Sequence, residues 1–64
     1  MLREMARREA RKVARTEGEE MLVVIDTNEH SGEPEYGYCP ARAKHLLFPL
    51  ATVFERFYPT ERRA

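Results

Sequence analysis

The five residues MLVVI, at positions 21–25, form an uninterrupted apolar run with polar residues on both sides. Three of them, Val23, Val24 and Ile25, are β-branched, and a short apolar run of this composition is typical of a buried strand. The sequence therefore predicts a strand that lies inside the fold.

The residues that follow this run predict a hairpin. The polar segment TNEHSGEP, at 27–34, contains a Ser-Gly pair and a proline, which favour a loop or hairpin connection. Residues 35–39 then alternate and place Tyr36 and Tyr38 on one face, as in a strand antiparallel to the first. Gly37 lies between them and either weakens this strand or marks a bulge.

Residues 2–16, which precede the apolar run, predict a helix. They are rich in Ala, Arg, Glu, Met and Leu and contain neither Gly nor Pro. Gly18 stands where a helix C-cap is expected. At helical spacing a thin, alanine-rich apolar stripe forms from Leu2, Met5, Ala6, Ala10 and Val13.

Residues 40–58 predict a second helix, kinked near Pro49. Apolar residues recur there at the i, i+3, i+4, i+7 spacing of a helix face: Ala43, Leu46, Leu47, Leu50, Val53, Phe54 and Phe57. Pro49 falls inside this pattern and removes a backbone hydrogen bond, which favours a kink. Pro59 ends the pattern, and we expect 59–64 to form a frayed basic tail.

The predicted fold is a single small α+β domain over residues 1–64, in the order α-β-β-α. It consists of a basic helix (1–17), a two-stranded antiparallel hairpin (21–39) and a kinked apolar helix (40–58). A chain of 64 residues buries only about 60% of its unfolded surface. We therefore expect a marginal core that gains from a partner chain, and no room for a separate substrate domain.

Charge is segregated along the chain although the formal net charge is zero. Residues 1–16 carry a balance of plus four, 17–35 a balance of minus seven, and 36–64 a balance of plus three. Partners must therefore be considered surface by surface rather than for the chain as a whole.

The single cysteine, Cys39, excludes an internal disulfide framework and favours a reducing compartment. No apolar segment approaches the length of a membrane span or resembles a secretory signal. We expect a cytoplasmic protein without a membrane partner.

Four potential metal ligands occur at Asp26, His30, Cys39 and His45. Zinc accepts such side chains, but their spacing does not begin with the cysteine pair of the usual zinc sites. We expect a buried thiol, exposed histidines, and no metal or other cofactor.

The stretch LVVIDTN, Leu22–Asn28, resembles the opening strand of PIN-domain ribonucleases, in which an aspartate ends the strand and helps to hold a divalent metal. With Glu29 it also resembles the Asp-x-x-Glu turn of structure-specific repair endonucleases. Either resemblance implies a catalytic role for Asp26. Both families, however, need later acidic residues and a larger sheet than this chain can supply, so we expect no enzymatic activity.

Two surfaces are candidates for binding a macromolecule. The first helix carries a ridge of arginines four residues apart, Arg3, Arg7, Arg11 and Arg15, flanked by Arg8 and Lys12. The second helix carries more apolar surface than a hairpin can cover, with Phe48 outside its main stripe, which indicates a protein interface or a homodimer. Tyr36 and Tyr38 are the aromatic residues best placed to stack on bases.

We therefore expect a non-catalytic binding protein whose partner is a protein with an acidic surface. Size and composition associate it with small inhibitors and adaptors, including phage-encoded ones. The alternative is a nucleic-acid-binding accessory protein that acts through the first helix.

Overall fold

A three-stranded antiparallel sheet forms the centre of the computed structural model, which describes residues 1–27 and 30–59. The elements in chain order are α1 (Arg3–Glu17), β1 (Met21–Thr27), β2 (Pro34–Pro40), a 3-10 turn (Ala41–Ala43), α2 (Lys44–Leu47) and β3 (Thr52–Phe57). The middle of the predicted loop (28–29) and most of the predicted tail (60–64) lie outside the described residues.

The MLVVI run is the middle strand of the sheet, whose strand order is β2-β1-β3. Val23 is opposite Tyr38 on one side and Glu55 on the other, so both edges of β1 are hydrogen-bonded. Residues 21–24 are all buried. The predicted hairpin is present, as two strands of a larger sheet.

Helix α1 covers one face of the sheet and confirms the predicted N-terminal helix. It ends at Gly18, which adopts a left-handed conformation (φ 66°) and donates its N–H to the Ala14 carbonyl at 3.1 Å. The packed stripe differs in part from the predicted one. Ala6, Ala10 and Ala14 form a buried cluster with Met21 and Val23, and the predicted Val13 packs against this cluster, whereas Leu2 and Met5 are exposed.

The opposite face of the sheet is covered by the segment between β2 and β3. Leu22, Val24, Cys39 and Ala51 form a second buried cluster there, and Ala41 and Phe48 pack against it. The short helix α2 lies within this segment and contributes no fully buried residue.

The predicted kinked helix over 40–58 is wrong. The predicted two-stranded hairpin is therefore incomplete, because the sheet has a third strand. Only Lys44–Leu47 are α-helical, and Thr52–Phe57 form β3 along the second edge of β1. Pro49 disfavours helical geometry at Phe48, which has φ −139° and ψ 64°. The β-branched and aromatic residues after Pro49 then favour a strand, and the edge of β1 offers that strand its hydrogen bonds.

Candidate binding surfaces

One arginine of the predicted ridge, Arg7, is held by an ion pair within the protein. Its guanidinium donates from Nε and Nη2 to the two carboxylate oxygens of Glu55 on β3, at 2.6 and 3.3 Å. A further contact of 3.3 Å joins it to Glu4. The hydrogen bond from Arg7 to Glu55 raises the pKa of the guanidinium. Arg7 therefore fastens α1 to the sheet and is not free for a partner.

Two more arginines are neutralised by the acidic pair between α1 and β1. Arg42 donates to both carboxylate oxygens of Glu19, at 2.9 and 3.1 Å, and Arg56 donates to Glu20. The hydrogen bond from Arg42 holds the pKa of Glu19 below its ordinary value. These two ion pairs therefore tie the 3-10 turn and β3 to the segment just before the central strand.

Four cations on the outer side of α1 remain, and we call them the cationic face: Arg8, Arg11, Lys12 and Arg15. All four side chains are exposed. None of them forms an ion pair with any residue in the described part of the chain. They line a shallow groove together with Thr16, whose hydroxyl donates to the Lys12 carbonyl at 3.0 Å.

Each member of the cationic face has two of the others at the spacing of helical neighbours. Arg8 is three and four residues from Arg11 and Lys12, and Arg15 is four and three residues from the same two. Like charges at these helical spacings each cost a few tenths of a kcal/mol. The guanidinium of Arg11 also lies over the Phe57 ring, 5.7 Å from its centroid, which orients one of the four.

The structure thus divides the predicted ridge. Arg3 lies 3.7 Å from a Glu4 carboxylate oxygen and Arg7 is engaged with Glu55, whereas Arg11 and Arg15 belong to the cationic face. Arg8 completes that face with Lys12. Sequence spacing alone does not reveal this division, because Glu55 is 48 residues away from Arg7.

The predicted aromatic binding residues all pack against the protein itself. Tyr36 and Tyr38 lie half-buried against the cluster under α1, and Tyr36 meets Phe54 edge to face with ring centroids 5.4 Å apart. Phe48 is half-buried against the opposite cluster. Their contact with a partner stays a prediction, and free stacking on bases has no support in this packing.

A second candidate surface, which the predicted helix obscured, is the leucine patch: Leu46, Leu47 and Leu50. These side chains are 82%, 58% and 89% exposed. They lie on α2 and the turn that follows it, on the side of the sheet away from α1. The sequence signal for this surface is Pro49 itself, because the proline breaks the helix that would have given these leucines a common packed face.

The residues considered for metal chemistry do not come together. Asp26 accepts a hydrogen bond from the Thr27 backbone N–H at 3.0 Å, and Asn28 and Glu29 lie outside the described residues. Cys39 is buried, and burial raises the pKa of its thiol. No three His, Cys, Asp or Glu residues among those described are grouped as metal ligands.

Comparisons of the chain with protein-family models, with curated proteins and with solved structures give no match. In the described part of the chain, no helix has both the length and the apolar character that crossing a membrane requires. Function is therefore inferred from the surfaces of the molecule itself.

Proposed function

We propose that this chain is a non-catalytic binding module that docks on an acidic surface of a partner protein through the cationic face. One observation carries the proposal. Arg7, Arg42 and Arg56 each have a glutamate partner within the fold, whereas Arg8, Arg11, Lys12 and Arg15 have none among the described residues. The fold keeps four mutually repelling cations on one helix, and an anionic partner would relieve that repulsion.

An acidic protein fits this surface better than a nucleic acid does. The helix that carries the cationic face also carries the carboxylates Glu4, Glu9 and Glu17, and the chain as a whole has no net charge. A polyphosphate backbone would be repelled by those carboxylates along its length, whereas a protein partner can match single cations with single carboxylates. Guanidinium forks suit such paired recognition.

Nucleic acid remains the second candidate. It is favoured by the same four cations, since phosphate contacts need a row of exposed Arg and Lys side chains and no deep pocket. It is disfavoured by Tyr36 and Tyr38, which pack against the cluster under α1.

Under the first proposal the chain acts as an inhibitor or adaptor that occupies or bridges its partner, rather than as an enzyme. The buried free thiol of Cys39 fits a reducing, cytoplasmic location.

Binding of two labelled probes, a glutamate-rich peptide and a short random DNA duplex, tests the proposal. We expect the peptide to bind, with weaker binding as salt rises from about 50 to 200 mM. The double variant Arg8→Ala/Lys12→Ala should lose most of this affinity. The matched control Arg3→Ala/Lys44→Ala removes the same charge outside the cationic face and should bind nearly as wild type.

Two outcomes would overturn the proposal. Equal losses in the two double variants would show that net charge, and not this face, determines binding. Tight binding of the duplex with none of the peptide, lost in Arg8→Ala/Lys12→Ala, would establish the nucleic-acid function instead.

A further inference from the structure

An exposed apolar side chain continues the cationic face toward the start of α1. Met5 is 49% exposed and precedes Arg8 by three residues. At ~100° per residue, Met5, Arg8, Lys12 and Arg15 fall within about 80° of one another, on the side of the helix opposite its buried alanines. We call these four residues the outer row. Its spacing of three, four and three residues makes each member a neighbour of the next.

The charged part of the outer row is one continuous surface. Its three cations line the same groove, together with Arg11 and Thr16. Arg11 is held to one side of this groove by its contact with the Phe57 ring. The row then continues one helical turn beyond the groove, to Met5.

The two halves of α1 differ in what they offer to an occupant. Glu4 and Glu9 both belong to the first half, where they flank Met5. In the second half Glu17 follows the buried Ala14 by three residues, which places it on the packed side of the helix. An occupant of the outer row therefore meets only cations over the second half of α1, and an apolar side chain beside carboxylates over the first half.

We propose that the occupant is an acidic amphipathic helix of a partner protein. Its carboxylates are confined to one half and lie opposite Arg8, Lys12 and Arg15, and its other half places apolar side chains opposite Met5. The inference rests on the proposed function, because it names the segment that the acidic partner presents to the cationic face.

A helix fits the outer row better than an extended segment does. The side chains on one face of a helix recur every three and four residues, so successive carboxylates can meet successive members of the row. The surface of a helix offers no strand edge, so an extended segment would find no partners there for its backbone N–H and C=O groups. A helix bonds these groups internally.

The size of the row indicates a transient complex. Helix α1 is 15 residues long, or about 22 Å, so a docked helix covers about four turns. Contact over that length is at the small end of protein interfaces, where weak and reversible complexes are found.

Two synthetic peptides of about 16 residues, equal in composition and in helicity, test the inference. The first has glutamates three and four residues apart on one face of its first half, and leucines at the same spacing on that face of its second half. The second distributes the same residues around the whole helix. We expect the first peptide to bind roughly tenfold more tightly, because it alone can form three ion pairs with the row at once.

A variant of the apolar end tests the other half of the match. Met5→Gln should weaken binding of the first peptide about fivefold, because glutamine favours the helix but offers less apolar contact. Leu46→Gln is the matched control, since it also replaces an exposed apolar side chain with glutamine, on the side of the sheet away from α1. It should bind as wild type does.

Equal affinities of the two peptides would overturn the inference, and so would a Met5→Gln variant that binds the first peptide as tightly as wild type. In either case the proposed function stands if the glutamate-rich peptide still binds and loses its affinity in Arg8→Ala/Lys12→Ala. Failure of all three peptides to bind would overturn both.

Discussion

The ring of Phe48 lies directly against Gly37, so that a Cβ atom on this glycine would stand 3.0 Å from the ring Cζ and 3.3 Å from Cε1. The contact brings the segment between β2 and β3 onto the sheet, where Phe48 packs on the second buried cluster. The φ of Gly37 is not positive, so backbone strain does not explain a glycine at this position. The glycine is explained by the room that the Phe48 ring needs.

We predict that Gly37→Ala destabilises the protein by about 1 kcal/mol. Alanine in a strand gains about 0.5–1 kcal/mol over glycine, but displacing a packed ring costs about 1–3 kcal/mol. In a Phe48→Leu background the sign should reverse, because the shorter side chain leaves room for the methyl group. Denaturant unfolding of the two single variants and the double variant measures this coupling.

Gly32→Ala is the control for this prediction. Gly32 has φ 73°, and no atom of the described residues lies within 4 Å of the position of a Cβ, so its substitution strains the backbone without touching Phe48. Its cost of roughly 1–2 kcal/mol should be the same in the wild-type and the Phe48→Leu backgrounds. The prediction would be contradicted if the cost of Gly37→Ala were also the same in the wild-type and the Phe48→Leu backgrounds.

The bond between Arg42 and Glu19 should make stability depend on pH in acid. The folded state lowers the pKa of Glu19 through the hydrogen bond from Arg42, so the pair stabilises the fold above the ordinary pKa of 4.5. This stabilisation is lost as the pH falls through the lower pKa of the folded state. Glu19→Gln should therefore be less stable than wild type near neutrality, and the difference should shrink in acid.

Thermal unfolding of wild type and Glu19→Gln from neutral to acid pH tests this sign. Arg42→Gln removes the other half of the pair and should show the same profile, with no further loss in the double variant. A difference between Glu19→Gln and wild type that persists unchanged in acid would refute the assignment.

Two carboxylates face each other across the hairpin, since Asp26 on β1 is paired in register with Glu35 on β2. Like charges directly opposite one another in a sheet are unfavourable, and an opposite-charge pair contributes roughly 0.2–1 kcal/mol. Glu35→Lys should therefore stabilise the fold by several tenths of a kcal/mol, with a smaller gain in high salt.

Glu33→Lys makes the same change of charge in the loop before β2, outside the described pairing of β1 with β2. Its effect on the unfolding midpoint should be smaller than that of Glu35→Lys. Equal effects of the two variants would indicate a response to net charge rather than to the cross-strand pair.

The alanine stripe of α1 allows the helix to lie close to the sheet. Ala10 is fully buried in the cluster with Met21 and Val23. Ala10→Leu should cost about 1–3 kcal/mol, because extra methyl groups must push the helix away from the strands. Thr16→Leu introduces the same side chain at an exposed helical position and should change stability by less than about 0.5 kcal/mol in urea unfolding.

Local composition predicted the first half of this fold well. The β-branched run from Val23 to Ile25 and the glycine-free stretch of α1 each favour one structure strongly, and tertiary packing agrees with both. Helical spacing nevertheless places Leu2 and Met5 on the packed stripe, although they are 71% and 49% exposed. Helical periodicity shows which residues share a face, but not where the sheet beneath that face ends.

A bulge in β3 makes the second half of the chain look helical in the sequence. The register of β3 against β1 shifts between Val23 and Val24, which are opposite Glu55 and Val53, so Phe54 is the additional residue. This residue interrupts the alternation of a strand, and the apolar positions 53, 54 and 57 then have the spacing of a helix face. The need of β1 for a second partner strand is a tertiary effect that no local window contains.

Arginine spacing on a helix is a local property, and it places the arginine ridge on α1. Whether these side chains bind a partner stays a prediction. Which arginines are neutralised depends on Glu55 and on the acidic pair Glu19 and Glu20, which only the folded chain brings near Arg7, Arg42 and Arg56.

The bulge at Phe54 also bears on how copies of this chain can meet. A three-stranded sheet has two open edges, and a flat open edge invites strand addition and amyloid-like growth. Here β3 is distorted by its bulge, and β2 has a proline at each end, Pro34 and Pro40, neither of which has an N–H to donate. Both edges are thus poor templates for another strand, which disfavours growth into a fibre by strand addition.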